Sequence, residues 1–427
     1  MDCIHHPWHF RDDHSSAHSR DTKRSSNIIS RKPTLMRYPT IALSFLAAIN
    51  AFAVDVSTPV FPAAALALNI DIGLMQLTIG LYMLGYGIGQ IPIGLMGDYF
   101  GRRITVIISL VVFILAGFVA AAAPSVELLL AMRFVQGVSG AAGAVISRAI
   151  ARDITSGAGT GRLVGLMTVA IGGVMIVGPL IGAILLDVLG WWGPFAASAI
   201  FGLLALVLLL TGIEETLKHR PDGTLSARFV EGIIAFRNSP QARLSALLIA
   251  FAFCILMAFV TLASEVFIYH FAMAEMGYAV IFAIASMGYM LGGLACRRLV
   301  SRMSTINLAR MTVAGFSAVG LASLVLLPIS TGHSTALSIL MIASFCCIGA
   351  MLSVSATLAL EALPRNAGMA SGIMGSFQIL VGACFSAGLS LVPADSLVIL
   401  HLSVGGCAAL MAVTALLTRR LVSETAR

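Results

Sequence analysis

The stretch Gly94-Leu-Met-Gly-Asp98-Tyr-Phe-Gly101-Arg102-Arg103, "GLMGDYFGRR" at 94–103, is a short polar break between two apolar runs, 73–96 and 104–123. Its glycines permit a tight turn. Asp98 can pair with an arginine or with a helix N-terminus. Arg102 and Arg103 favour the cytoplasmic face of a membrane. Each flanking run has roughly 20 residues, enough to cross a hydrocarbon core of about 30 Å as a helix. The stretch therefore predicts a hairpin of two membrane-spanning helices that turns at the cytoplasm.

Outward from this hairpin the same alternation fills the chain. Apolar blocks lie at 39–63, 73–96, 104–123, 126–150, 162–186, 193–212, 244–266, 277–297, 306–328, 335–360, 369–391 and 397–418. The 427 residues are 59% hydrophobic and only 11% charged, the composition of a polytopic membrane protein. Strict period-2 alternation is absent, and Leu, Ala, Ile, Val and Gly fill the blocks on every face. Helices, and not a β-barrel, then satisfy the backbone in lipid. The expected fold class is all-α with twelve transmembrane helices.

With both termini on one side, the loops holding 102–103, 148–162, 214–243, 297–310 and 361–368 share that side. Every Lys and Arg except Arg133 lies in those loops or in the tails, and the opposite loops hold none. This is the positive-inside pattern, and it places both termini in the cytoplasm. It also accounts for the net charge of +7, so no nucleic-acid partner is implied.

The longest internal polar segment, Glu214 to Arg243, divides the helices six and six, which suggests two repeated bundles around a central site. The expected organisation is a disordered cytoplasmic tail over 1–38, a six-helix bundle over 39–212, a cytoplasmic loop over 213–243, a second six-helix bundle over 244–418 and a tail over 419–427. The N-terminal tail is polar and lacks the apolar middle of a secretory signal. His5, His6, His9, His14 and His18 imply no fixed metal geometry, and a start at Met36 explains the leader as well as a start at Met1 does. Cys254, Cys296, Cys346, Cys347, Cys384 and Cys407 lie in or at the edge of apolar helices, where they read as small packing residues.

Asp55 is the acid set well inside a span and Arg133 the base. At about 1.5 Å per residue, Asp55 lies about 24 Å up from the cytoplasmic start of its helix and Arg133 about 10 Å down from the outer end of its own. In a core of about 30 Å the two are level to within about 5 Å and could face one cavity. Membrane carboxylates usually serve substrate or proton pathways, so Asp55 reads as a group that exchanges a proton while a substrate competes for the site. A static buried ion pair with Arg133 is the structural alternative.

Tyr82, Tyr86 and Gln90 recur every four residues on the second helix, and Gln136 sits one turn from Arg133. These four either line the cavity or make hydrogen bonds between helices. Glu265, near the outer end of the seventh helix, reads as an interfacial anchor, with a second proton site as the other possibility.

The loop at 94–103 resembles the signature loop of the major facilitator superfamily, G-x-x-x-D-[RK]-x-G-R-[RK], with Gly94, Asp98, Gly101, Arg102 and Arg103 in place and Tyr99 where the first basic residue stands. "RFVQGVSGAAGAVISRAIARD", Arg133 to Asp153, resembles the family's fourth-helix motif followed by the R-A-I-x-R-D run of its bicyclomycin and chloramphenicol resistance branch, the Bcr/CflA-type drug:proton antiporters. Asp55 with Pro59 and Pro62 resembles that branch's D-M-Y-L-P-x-x-P. Gly165, Gly178, Pro179 and Gly182 resemble the exporters' antiporter motif, with Val174 and Ala183 at two of its glycine positions. The C-terminal half is the weaker match: "GLACRRLVSRM" takes the place of a second signature loop, and "EALPRNAGMASGIMGSFQILVGACFSA" resembles the loop into the eleventh helix, bringing Gln378 toward the cavity.

The resemblance implies two six-helix bundles of the major facilitator fold. It also implies proton-coupled efflux of small amphipathic compounds, drugs or related metabolites, across a bacterial inner membrane by alternating access. A proton gradient is the drive and no cofactor or metal is expected. The partners are a small-molecule substrate, protons and the lipid bilayer, and a monomer is expected. In the implied cycle substrate arrives from the cytoplasm, Asp55 releases it on protonation from outside, and Asp98 and Arg102 latch the cytoplasmic gate. The alternative is a proton-coupled importer or symporter of a small metabolite on the same fold, with the Gly-Pro helix serving only as packing. An enzyme is not expected, because the spans hold no carboxylate pair, His cluster or Ser-His constellation. A sensor is not expected either, because the cytoplasmic loops are too short for a signalling domain.

Overall fold

Proline decides where the first span breaks. Pro59 has no N–H and its ring collides with the carbonyl four residues back, that of Asp55. Accordingly, in the computed structural model α1 (Pro39–Asp55) stops at the aspartate, a 3-10 turn covers Thr58–Val60, and α2 (Phe61–Leu68) completes the crossing. Thr58 Oγ1 donates to the freed Asp55 carbonyl (3.0 Å), and Ser57 Oγ donates to that of Val54 (2.8 Å). The structure describes residues 39–424 apart from 156–157, 218–224, 301, 331–332, 363–366 and 393–394. The tail over 1–38, with its histidines and its two candidate starts, lies outside the described residues.

The first half continues with α3 (Ile72–Phe100), α4 (Arg102–Ala121), α5 (Val126–Ile154), α6 (Ala158–Leu189) and α7 (Gly193–Gly212). The second half comprises α9 (Pro240–Glu265), extended by a π turn at Val266–His270, then α10 (Glu275–Val300), α11 (Thr305–Ser330), α12 (Ser334–Ala362), α13 (Ala367–Ser390) and α14 (Ser396–Glu424). Among the described residues twelve helices are long and apolar enough to cross a membrane, which is the expected number. Several boundaries differ from the sequence reading, three of them with consequences for the organisation of the chain. The segment between the halves, read as a loop, contains the helix α8 (Leu225–Asn238). The last span runs on to Glu424, through much of the expected tail. Helix α5 runs to Ile154, past the expected end of its block at 150, so Arg152, read as a loop residue, is helical.

The two halves repeat one packing scheme. In the first half α3 lies on α5 and α4 on α7; in the second, α10 lies on α12 and α11 on α14. The α3–α5 contact closes over Gly137, where an added Cβ would strike the Tyr82 carbonyl, and the α10–α12 contact closes over Gly349, where it would strike that of Tyr289. Only glycine lets backbones approach this closely. The halves meet along α3 and α13 on one side and α6 and α10 on the other. Arg102, Arg103, Arg148 and Arg152 all lie at the end of the bundle that holds Pro39, here termed the basic end.

Candidate functional site

The break after α1 leaves Asp55 at the inner surface of a cavity of about 240 Å³ between the halves. The cavity is walled by α1, α3, α5 and α6 of the first half and α9, α10 and α13 of the second. Of the candidate site residues, Asp55, Tyr86 and Gln378 line it. Asp55 is only 4% exposed, yet its Oδ2 has no hydrogen-bond partner among the described residues. Met83, Met167, Met175 and Met257 supply much of the apolar wall. Methionine is flexible and polarisable, so such a wall adapts to varied shapes.

Arg133 is placed differently from the expectation. It is fully buried and stands outside the cavity lining, and it forms no ion pair with Asp55. Its NH2 donates to the Ala53 carbonyl (3.2 Å) near the broken end of α1, and its NH1 donates to Gln136 Oε1 (2.8 Å). The guanidinium stacks over the Tyr82 ring at 4.4 Å and lies 5.6 Å from the Phe195 ring. A cation over aromatic faces at the C-terminus of a helix is compensated without a carboxylate.

Gln136 passes the chain of bonds on to Ser198 Oγ of α7 (3.0 Å), and Tyr82 Oη donates to Asn50 Oδ1 (2.7 Å), whose amide donates to the Gly140 carbonyl (2.9 Å). Arg133, Gln136 and Tyr82 thus form a packed network behind the cavity. Gln90 is also buried, on the α3 face toward Gly375 of α13. The four-residue stripe on α3 therefore divides: Tyr86 reaches the cavity, while Tyr82 and Gln90 make contacts between helices.

The antiporter-like glycines lie directly on the broken span. A Cβ at Gly178 would sit 3.1 Å from Asp55 Cβ, and one at Gly182 would strike the Val56 carbonyl. Between them Pro179 lies inside α6 and cannot bond the carbonyl of Met175, a residue of the cavity wall.

At the far end, opposite the basic one, the halves are joined. Gln76 Nε2 of α3 and Ser396 Oγ of α14 both donate to Glu265 Oε2, each at 2.6 Å. Tyr269 Oη donates to the Pro62 carbonyl (2.8 Å). Toward the basic end the cavity is bounded by Ser147, Arg148 and Val164. Hydrogen bonds therefore join the halves at the far end, while the cavity lining reaches toward the basic end as far as Arg148.

The signature stretch forms the turn from α3 to α4. Gly101 takes φ 111°, a conformation that favours glycine. Arg102 pairs with Asp98 and lies 3.5 Å from Asp153 through Nε, and Asp153 accepts a bond from Thr216 Oγ1 (3.0 Å). Gly94 packs by Val145 of α5, and Arg103 NH2 donates to the Leu210 carbonyl (3.1 Å). These contacts lie within the first half and the start of the segment that follows it.

Sequence reasoning missed Glu215. Its carboxylate accepts the backbone N–H groups of Arg102 (2.9 Å) and Arg103 (3.0 Å), capping the N-terminus of α4. Glu215→Ala is expected to cost about 1 kcal/mol or slightly more, as losing a helix cap does. The check is the melting temperature of the detergent-solubilised protein. Asn50 was legible as a polar residue in an apolar span shortly before Asp55. Arg148 was counted among the cytoplasmic positive charges at the end of the 126–150 block, and only the structure shows that it lines the cavity.

The family description Major Facilitator Superfamily matches residues 43–387. The bicyclomycin resistance protein homolog of Haemophilus influenzae is 28% identical over 383 residues, covering 86% of this chain and 92% of that protein. The uncharacterized MFS-type transporter YdgK of Bacillus subtilis is 28% identical over 355 residues, covering 81% of this chain and 86% of its own. Among solved structures, a D-xylose-proton symporter aligns with a TM-score of 0.66 at 18% identity over 87% of this chain and 96% of that one, a likeness of fold. With twelve spans in two repeated halves around a central cavity and a family match over most of its length, the chain belongs to the Major Facilitator Superfamily and is a membrane transporter.

Proposed function

We propose that the protein exports small amphipathic compounds in exchange for protons, with Asp55 as the group for which proton and substrate compete. The observation that carries this reading is the Asp55 carboxylate, buried at the cavity wall with Oδ2 unpartnered. A buried structural carboxylate would be held by hydrogen bonds, because an unpaired buried charge costs several kcal/mol. A proton or a cationic ligand removes that cost. The similarity to a bicyclomycin resistance protein homolog supports efflux. The symporter of similar fold, at 18% identity, carries no argument about direction.

Under this reading the basic end is cytoplasmic by the positive-inside rule, both termini are cytoplasmic, the membrane is a bacterial inner membrane, and the described state takes substrate from inside. Alternating access then requires only that proton and substrate favour different states. The Gln76–Glu265–Ser396 bonds close the outer face in the described state. Glu265→Ala is expected to shift the population about tenfold toward outward opening, the effect of losing roughly 1.5 kcal/mol of bonding. The check is labelling of a cysteine placed at Val260, on the cavity wall, by an impermeant maleimide added outside.

The test of function uses inverted membrane vesicles holding a respiratory pH gradient, challenged with a panel of amphipathic compounds. Collapse of the gradient in wild type and not in Asp55→Asn supports exchange. Compound movement in the same direction as the proton would replace export by symport, and equal collapse in the variant would remove Asp55 from the coupling.

A further inference from the structure

We infer that the cavity takes a zwitterionic amphipath, its cation at Asp55 and its anion at Arg148, with an apolar body between them. This rests on the export reading for the role of Asp55 and deepens it by naming the substrate class. Arg148 is exposed, lines the same cavity as Asp55, and has no ion-pair partner among the described residues. Beside it, Ser147 Oγ is buried, lines the cavity and lacks a hydrogen-bond partner, as does Gln378 Oε1 across from it on α13.

Other buried polar atoms without partners, such as Ser264 Oγ and Ser355 Oγ, stand outside the cavity lining, whereas those of Asp55, Ser147 and Gln378 surround one space. Unpartnered polar atoms that share a cavity mark where a ligand supplies the partners. The cavity-lining charge is one acid and one base, so a ligand with one charge of each sign leaves none unpaired. A purely cationic ligand would leave Arg148 unmatched and a purely anionic one would leave Asp55 unmatched.

Depth separates the two charges. The bond from Asn50 of α1 to the Gly140 carbonyl of α5 sets the register of the two helices. Asp55 stands five residues beyond Asn50 and Arg148 eight residues from Gly140 in the other direction, so at about 1.5 Å per residue the charges differ by about 20 Å in depth. Two side chains reaching in from the wall leave room for a body about two aromatic rings long. The wall between offers Tyr86, Phe253 and the methionines, surfaces suited to aromatic or aliphatic rings.

The experiment measures equilibrium binding to the detergent-solubilised full-length protein by calorimetry. The probes are a para,para-substituted aminomethylbiphenyl carboxylic acid, its methyl ester, which is only a cation, and its N-acetyl derivative, which is only an anion. The expected result is that the zwitterion binds wild type about tenfold more tightly than either derivative, the effect of one charge-assisted contact. Arg148→Gln is expected to lose the preference for zwitterion over ester, and Arg148→Lys to keep part of it. A preference that survives in Arg148→Gln, equal affinity for all three, or no binding of any overturns the inference.

The proton measurement separates this inference from the reading it rests on. Gradient collapse by the ester as strong as that by the zwitterion overturns the ligand class and leaves export intact. Arg148-dependent binding of the zwitterion with no proton movement supports the ligand class and removes the coupling.

Discussion

Asp55→Asn is expected to leave the protein folded and to reduce compound-driven proton movement by on the order of 100-fold, the usual scale for removing a positioned proton-transfer group. The amide is nearly isosteric with the carboxyl, so the packing against Gly178 is preserved. It carries no proton that can be taken up or released at working pH. It also removes the buried charge that attracts a cation, so substrate affinity falls together with coupling. Simultaneous measurement of gradient collapse in inverted vesicles and of the melting temperature of purified protein checks both halves of the expectation. A variant that is inactive and misfolded would say nothing for the proton role. A variant that is stable and fully coupled would exclude it.

Gly182→Ala is expected to be among the most damaging single-methyl additions in the chain. Its Cβ would strike the Val56 carbonyl and lie 3.2 Å from Pro59 Cγ, both in the break that positions Asp55. Backbone cannot swing aside as a side chain can, so α6 must move off the first span at a cost of about 1–3 kcal/mol. Gly173→Ala on the same helix is the control, since nothing lies within 4 Å of its added carbon. There the usual helix preference for alanine over glycine, about 1 kcal/mol, favours the variant. Opposite shifts in melting temperature for the two variants, with transport lost only in Gly182→Ala, would support the contact. Equal shifts would remove it.

These expectations depend on a site that was only partly legible in the sequence. The acid inside an apolar span announced Asp55, because a charge in lipid is costly wherever the chain folds. The span over 39–63 was read as continuous, so the break at Pro59 that sets Asp55 at a helix end came from the structure, whereas the glycines around Pro179 marked a close helix contact. The depth of Arg133 was legible too, but its neighbours were not. Axial counting fixes height along a helix and leaves open the direction a side chain takes around it. Arg133 points to the Ala53 carbonyl and the Tyr82 ring, behind the cavity surface. Arg148 was missed for a similar reason: its charge counted it toward the cytoplasmic side, and neither charge nor height says that it lines the cavity.

By itself the sequence determined the membrane, the spans, their number and the two halves, because each follows from local chemistry: apolar length, backbone satisfaction in lipid and the placement of Lys and Arg. Tertiary structure alone decided which of the polar residues share a space. Asn50, Tyr86, Arg148, Tyr289 and Gln378 come from five helices in two halves, and they meet Asp55 only because glycine contacts bring those helices to particular rotations and registers. It also decided where the halves are bonded to each other, since the bonds from Gln76 and Ser396 to Glu265 join residues far apart in the chain, and no local pattern encodes their meeting.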